Sequence, residues 1–231
     1  MNDVSTQPLS IEVAGSGTVS ALLTAPARAH AACVLAHGAG AGMHHAFMAA
    51  AASGLAARGL ATLRFQFPSM ERASRRPDPP RVAHAAVRAA VAEANRRLGG
   101  LPLFAGGKSF GGRMTSQAQA EAPLERVAGL VFLGFPLHPA GRPGEERGEH
   151  LARIACPMLF LQGSRDELAD PGLVTALANR LAPRATLAMF DDADHAFHVR
   201  ARSGSTDAQV LEKLLDTIVE WIARVVAGRS A

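Results

Sequence analysis

Residues 101–120 read LPLFAGGKSFGGRMTSQAQA and carry the local signal from which the fold is derived. An apolar run at residues 101–105 predicts a buried strand, and residues 112–120 predict a helix. Between them lies a G-x-S-x-G pattern, in which Gly107 and Gly111 leave room for a tight strand-to-helix turn around Ser109. Such a turn strains the serine backbone and presents the hydroxyl at the edge of a sheet, beside a helix N-terminus.

The rest of the chain alternates short apolar runs, bounded by glycine or proline, with longer segments of helical spacing. This alternation is typical of an α/β fold, with a mostly parallel sheet of about eight strands and helices on both faces. The predicted strands are residues 11–14, 19–23, 33–36, 61–67, 101–105, 127–133, 158–162 and 186–190. The first two flank a glycine-containing turn and are predicted to form an antiparallel hairpin at the sheet edge.

Three longer helices are predicted besides the one that follows Ser109. Residues 46–58 are rich in alanine, and residues 80–98 carry an apolar stripe with a period of roughly 3.6 residues. The last helix begins at Thr206, which forms a capping-box pattern with Gln209. Because no repeat or long linker divides the chain, a single domain is expected over residues 1–231, and the short loop 138–149 leaves no room for a cap domain.

The composition excludes several classes of protein. Of the 231 residues, 48% are hydrophobic and 19% are charged, which favours a packed core over a disordered or fibrous chain. The net charge of +4 comes from basic residues that are almost all arginine, and these are spread along the chain without interleaved aromatic residues. No nucleic-acid partner is therefore expected.

The cysteines and the N-terminal residues bear on the compartment. Two cysteines, Cys33 and Cys156, are too few for a disulfide framework and favour a reducing compartment. Residues 1–10 lack the basic and apolar regions of a signal peptide, and no apolar run approaches about eighteen residues. We therefore expect a soluble, cytoplasmic protein with no membrane partner. A homodimer is left open, because oligomerisation depends on surface patches that a sequence does not show.

A nucleophilic serine needs a base within hydrogen-bond reach and a carboxylate that orients the base. Asp166 and His195 both follow predicted strands, so they should lie on the same sheet edge as Ser109. Asp166 is alternatively a helix cap. His198 is a weaker candidate for the base, and the rival acids, which lie close to His195 in sequence, are Asp191, Asp192 and Asp194.

The anion formed when a carbonyl is attacked needs two N–H donors. The backbone N–H of Phe110, directly after the serine, is the first candidate. The glycine-rich loop 37–42 after the third strand is expected to supply the second, from Ala39 or, failing that, Gly40. A plain glycine-rich turn is the alternative interpretation of that loop.

Other sites receive less support from the residues. Lys108 and Ser109 resemble the end of a phosphate-binding loop, but that pattern requires glycine at position 102, where this chain has Pro102. The histidines near residue 40 have no acidic or cysteine partner at ligand spacing, so no metal is expected. The residues predicted to line a substrate pocket are His44, Phe47, Phe135, Leu137, His138 and Leu168.

Four of these segments, His37-Gly38, residues 107–111, Asp166 and His195, together resemble the α/β-hydrolase superfamily. Further short segments are similar to the small, lidless branch near the dienelactone hydrolases, including a lineage related to the third subunit of the non-specific lethal histone acetyltransferase complex. These segments are residues 63–68, 76–78, 106–113, 135–139, 161–163 and 165–166. Dienelactone hydrolases use a cysteine nucleophile, where this chain has a serine, so their substrate is not transferred.

The resemblance implies an eight-stranded sheet, a Ser-His-Asp triad at Ser109, His195 and Asp166, and no cofactor. Together with the residues, it predicts a serine hydrolase that cleaves a carboxylic ester or thioester through an acyl-enzyme. The expected partner is a small-molecule acyl substrate. The alternative is a non-catalytic interaction protein that keeps the fold.

Overall fold

The computed structural model describes residues 4–74 and 76–229. The ends of the predicted 1–231 domain, and Arg75 within a predicted loop, lie outside the described residues. The strands are β1 Val4–Val13, β2 Gly17–Pro26, β3 Ala31–Ala36, β4 Leu60–Phe65, β5 Leu103–Lys108, β6 Val127–Leu133, β7 Met158–Gly163 and β8 Ala185–Phe190. The helices are α1 Ala46–Ala57, α2 Pro68–Glu71, α3 Pro80–Leu98, α4 Phe110–Glu121, α5 Pro171–Arg180 and α6 Asp207–Arg229.

The eight strands form one sheet in the order β1-β2-β4-β3-β5-β6-β7-β8. β1 pairs antiparallel with β2, and β2 pairs antiparallel with β4, whereas all pairs from β4 to β8 are parallel. The predicted mostly parallel, eight-stranded architecture with an edge hairpin is confirmed. Because β3 and β5 to β8 run parallel, the loops that follow them meet at one edge of the sheet.

The sheet separates two apolar layers. Helices α3, α4 and α5 cover one face, and α1 and α6 cover the other. The predicted stripe of α3 is buried at Val87, Ala90 and Val91. The predicted capping box is present, since the Gln209 N–H donates to Thr206 Oγ1 and the Thr206 N–H donates to Gln209 Oε1. The fully buried faces of the central strands explain why they appear in the sequence as continuous apolar runs.

Several predicted boundaries were wrong. β1 begins at Val4 instead of residue 11, because its first five residues are exposed and carry no alternating apolar signal. β5 spans Leu103–Lys108 instead of 101–105, so the strand continues through two glycines to the residue before Ser109. The short helix α2 and a 3₁₀ segment at Glu146–Arg153 were not predicted, and the helix α5 was expected after Asp166 without stated bounds. Between β6 and β7, where a cap would be inserted, the described residues form only this 3₁₀ segment and loops.

Gly106, in the middle of β5, supports a testable prediction about the sheet. A Cβ there would lie 1.8 Å from the backbone oxygen of Val131 in β6, and backbone cannot move aside as a flexible side chain would. We expect Gly106→Ala to lower the free energy of unfolding by at least ~3 kcal/mol, or the melting temperature by about 6–12 °C. Gly100→Ala is the matched control, because a Cβ at Gly100 meets nothing within 4 Å. Equal melting temperatures for the two variants in thermal denaturation would contradict the prediction.

Candidate active site

Ser109 occupies the turn between β5 and α4 with φ 51° and ψ −117°. A positive φ is strained for a residue with a side chain, and the surrounding glycines make it sterically accessible. A Cβ at Gly107 would lie 2.1 Å, and one at Gly111 2.4 Å, from the Ala36 backbone oxygen at the end of β3. The turn therefore packs directly on β3 and presents the serine side chain at the carboxyl edge of the sheet, at the N-terminus of α4.

Ser109, His195 and Asp166 form a continuous chain of hydrogen bonds. The Ser109 Oγ lies 2.8 Å from His195 Nε2, and His195 Nδ1 lies 2.7 Å from Asp166 Oδ2. Because a carboxylate only accepts, Nδ1 carries the imidazole proton and Nε2 is free to accept the proton of the serine hydroxyl. The Asp166 side chain is fully buried, whereas that of His195 is 24% exposed. The arrangement can activate a nucleophile that faces solvent.

The carboxylate of Asp166 is held by the surrounding protein. Besides His195, it accepts a hydrogen bond from the Gln162 Nε2 at Oδ2 and one from the Leu168 N–H at Oδ1. The helix-cap interpretation of Asp166 does not hold, because Asp170 is the residue that caps α5 through the Leu173 N–H. Asp166 is therefore positioned to orient the imidazole of His195.

Gln162, the penultimate residue of β7, is a site residue that sequence reasoning missed. It is fully buried, donates to Asp166, and accepts a hydrogen bond from the Phe135 N–H at 2.9 Å. Its amide thus connects Asp166 to the segment after β6. The available signal was a polar side chain inside the otherwise apolar run of β7.

The rival residues near His195 have other roles. The exposed side chain of His198 lies 2.8 Å from Asp207, and this hydrogen bond raises the pKa of His198. Asp194 Oδ1 accepts hydrogen bonds from the backbone N–H groups of Ala196 and His198, which shapes the loop that carries His195. The structure therefore brings His195, and not His198, to Ser109.

The loop after β3 reaches the nucleophile through Gly38 and Ala39. A Cβ at Gly38 would lie 3.8 Å from Ser109 Cβ, and Ala39 borders the same cleft as Ser109. Neither the Ala39 nor the Phe110 amide donates a hydrogen bond to another of the residues described. Both predicted donors are thus available to an atom bound beside the serine.

His37 shapes this loop from inside the protein. Its Nε2 accepts from the Phe67 N–H at 3.1 Å, so the ring proton is on Nδ1 and is donated to the Gly38 oxygen at 2.7 Å. Burial lowers the pKa of His37, which favours this neutral form. The side chain therefore connects the loop after β3 with the loop after β4.

Lys108, the residue between Gly107 and the nucleophile, points toward the His195 loop. Its Nζ donates to the His195 backbone oxygen at 2.5 Å and lies 5.4 Å from the centre of the Phe197 ring. Burial lowers the pKa of Lys108 to about 8, while the charges of Asp166 and Asp194 oppose that shift. Lys108 thus links the end of β5 by a hydrogen bond to the loop that carries the His195 imidazole.

A cleft of about 310 Å³ opens at Ser109 and His195, and we call it the proximal cleft. Its other walls include Ala39, His45, Phe47, Met48, Leu168 and Ala196. Phe47 and Leu168 are thus located where pocket-lining residues were predicted.

The structure places the other predicted lining residues elsewhere. Phe135 and Leu137 are fully buried in the core, and Phe135 packs on Phe132 and Phe160 at ring distances of 5.3 and 5.8 Å. His138 is 3% exposed and accepts from the Asp170 N–H. His44 borders a separate depression beside β1 and β2. The prediction failed for these four because the segment after β6 turns inward, and because His45 takes the cleft position next to His44.

Within residues 4–74 and 76–229, no group of three or more histidine, cysteine, aspartate or glutamate side chains is arranged to hold a metal ion. No helix in the same residues is both long and apolar enough to cross a bilayer.

Comparison with solved structures gives similar proteins over nearly the whole chain. A lidless α/β serine hydrolase of Xanthomonas campestris has 23% identity and a TM-score of 0.74, covering 94% of this chain and 95% of its own. A dienelactone hydrolase of Anabaena variabilis has 20% identity and a TM-score of 0.74, covering 96% and 98%. A cold-adapted esterase from an Arctic intertidal metagenomic library has 19% identity and a TM-score of 0.66, covering 94% of both chains.

A family model described as "Alpha/beta hydrolase domain" matches residues 29–223. The predicted relation to the third subunit of the non-specific lethal complex stays a prediction. The residues between β6 and β7 form no cap domain, and since the match covers most of the chain, this chain belongs to the alpha/beta hydrolase domain family.

Proposed function

We propose that this protein is a serine hydrolase that cleaves a carboxylic ester or thioester. The observation that carries the proposal is the hydrogen-bonded chain from Ser109 through His195 to Asp166, with contacts of 2.8 and 2.7 Å. The similar structures are named as a serine hydrolase, a dienelactone hydrolase and an esterase, and these names support the same class of reaction.

In the acylation half, the Ser109 Oγ attacks the substrate carbonyl carbon while His195 Nε2 takes the hydroxyl proton. The electron pair of the C=O bond moves to oxygen, and the resulting oxyanion accepts hydrogen bonds from the Ala39 and Phe110 amides. When the tetrahedral intermediate collapses, His195 gives its proton to the departing alkoxide or thiolate. The products are a free alcohol or thiol and an acyl ester on Ser109.

Deacylation repeats these steps with water as the nucleophile. His195 takes a proton from water as the hydroxyl attacks the acyl carbonyl, and then returns it to Ser109 Oγ as the acid leaves. Asp166 keeps the imidazole in the required tautomer and stabilises its charged form in both halves. Both half-reactions therefore use only the side chains and backbone amides named above.

The substrate class follows from the proximal cleft. Its walls are mainly apolar side chains, with polar groups at Ser109, His195 and His45, and with Lys108, whose amine already donates to the His195 backbone oxygen. Because no cap covers the opening, the cleft suits a small ester or the end of a larger molecule. We therefore propose an uncharged acyl group as the part that enters it.

Labelling with a fluorophosphonate probe tests the proposal, since this probe reacts with activated serines. We expect stoichiometric labelling of the wild type, with the adduct mapped to Ser109 by mass spectrometry, and none in Ser109→Ala. Ser116→Ala is a matched control because Ser116 is also 2.7 Å from a histidine, His150, yet it is buried and donates to the Arg113 oxygen. This control should be labelled like the wild type.

The labelling result separates catalysis from the interaction-protein alternative. A folded wild-type protein without any adduct would overturn the proposed function and favour a non-catalytic role. An adduct on Ser116 would show that the wrong serine has been assigned.

A further inference from the structure

A second opening adjoins the proximal cleft, and we call it the distal cleft. Its volume is about 370 Å³, and its walls include Phe47, Ala50, Ala196, Phe197, Ala208 and Leu211. Phe47 and Ala196 line both clefts. Since Ala196 directly follows His195, the wall that the two clefts share borders the reacting centre.

The distal cleft lies between α1 and the start of α6 and has an apolar floor. The Phe47 and Phe197 rings stack with centroids 5.9 Å apart and planes 10° apart. The Phe190 ring makes an edge contact with the Phe197 ring, with centroids 5.8 Å apart, and Phe197 is only 3% exposed. This packing holds the half-buried Phe47 ring, which lines both clefts, against a buried aromatic base.

The remaining walls leave space and offer little polarity. Ala50 and Ala208 are exposed and have the smallest side chain with a Cβ. The charged wall residue, Asp207, is already paired, because its carboxylate contacts His198 at 2.8 Å and accepts from the Val199 N–H at 2.9 Å. The distal cleft therefore suits a ligand that is apolar and narrow, and it offers poor recognition for a sugar or a peptide backbone.

We propose that the distal cleft binds a linear alkyl chain attached to the ester that Ser109 cleaves. This inference rests on the proposed function and adds to it the substrate class: esters with an alkyl chain long enough to pass Phe47 and Ala196. Moving such an alkyl chain out of water against Phe47, Ala196 and Leu211 is favourable in proportion to the apolar area buried. The alkyl chain belongs to either the acyl part or the alcohol part of the ester, since either placement leaves the carbonyl carbon near His195.

The test measures kcat/KM against chain length in two series. The acyl series consists of p-nitrophenyl esters from acetate to octanoate, and the alcohol series consists of acetates of alcohols from ethanol to octanol, followed by acid release. Full burial of each CH₂ corresponds to about a fourfold gain in kcat/KM. We expect at least a tenfold rise from the shortest to the longest ester in one series, which identifies the side that carries the chain.

Variants that fill the distal cleft test whether the alkyl chain binds there. Ala50→Phe, on α1, fills the distal cleft from a position that does not itself line the proximal cleft, and we expect it to lower the ratio of kcat/KM for the longest and shortest esters at least fivefold. Ala208→Phe, on α6, fills the same space from the opposite wall and gives an independent variant. Ala57→Phe is the control, since Ala57 is exposed on α1 and lines neither cleft. It should keep the wild-type ratio.

The outcomes distinguish this inference from the proposed function. If Ser109 is labelled and acetate esters are cleaved, but chain length has no effect or the filled variants keep the wild-type ratio, the distal-cleft inference alone is overturned. If no ester is cleaved and Ser109 is not labelled, the proposed function fails and the inference fails with it.

Discussion

Replacing Ser109 or His195 with alanine is expected to lower kcat for p-nitrophenyl acetate by on the order of 10⁶-fold, and the double variant should be no slower than the poorer single variant. The reason is that the two side chains act as one unit across their 2.8 Å contact. Without the imidazole, the serine keeps its proton, and without the serine, the imidazole has no nucleophile to activate. Steady-state kinetics of the three variants check this result.

His198→Ala is the matched control for this series. His198 lies three residues after His195 and also contacts an aspartate, but its side chain is exposed and pairs with Asp207. Its replacement should change kcat less than about twofold. A loss comparable with that of His195→Ala would show that the base has been assigned to the wrong histidine, and multiplicative losses in the double variant would show that Ser109 and His195 act separately.

Asp166→Asn is expected to lower kcat by about 10³- to 10⁴-fold, because no orientation of the new amide fits its surroundings. With its NH₂ at the Oδ2 position, it would face the Gln162 NH₂ and the Nδ1 of His195. His195 would then carry its proton on Nε2 and could not accept one from Ser109. With its NH₂ at the Oδ1 position, it would face the Leu168 N–H.

Gln162 cannot relieve this conflict by rotating its own amide. Its oxygen accepts from the Phe135 N–H, so rotation would set two donors against each other there. Asp191→Asn provides the control, since Asp191 is an exposed carboxylate near His195 in sequence, and it should keep kcat within about twofold. The measurement is kcat as a function of pH for both variants. If Asp191→Asn were the slower of the two, the assignment of the orienting acid to Asp166 would be wrong.

The features that sequence reasoning missed depend on residues that are distant along the chain. Gln162 acts between Asp166 and Phe135, which lie on different strand ends. Lys108 reaches the backbone oxygen of His195, which is 87 positions further along. Neither partner is visible from the local pattern around a glutamine in a strand or a lysine in a turn.

The residues predicted to line the pocket were also misplaced for want of tertiary information. Phe135 and Leu137 follow β6 and were expected at the cleft, as residues after parallel strands often are. The structure buries both, since Phe135 contacts Phe132 and Phe160 beneath the sheet edge. An apolar residue in a loop reads the same in sequence whether it faces the core or a cleft.

By itself, the sequence determined the alternation of strands and helices, the edge hairpin, the turn around Ser109 and the sheet edge on which Asp166 and His195 lie. These follow from local physics: apolar periodicity sets each element, and glycines on both sides of Ser109 permit a turn that a Cβ would block. Only the tertiary structure decided which side chains meet at that edge, which buried amide holds the carboxylate, and that Phe47 and Ala196 line two clefts. Those contacts depend on the packing of segments far apart in sequence, which no local pattern encodes.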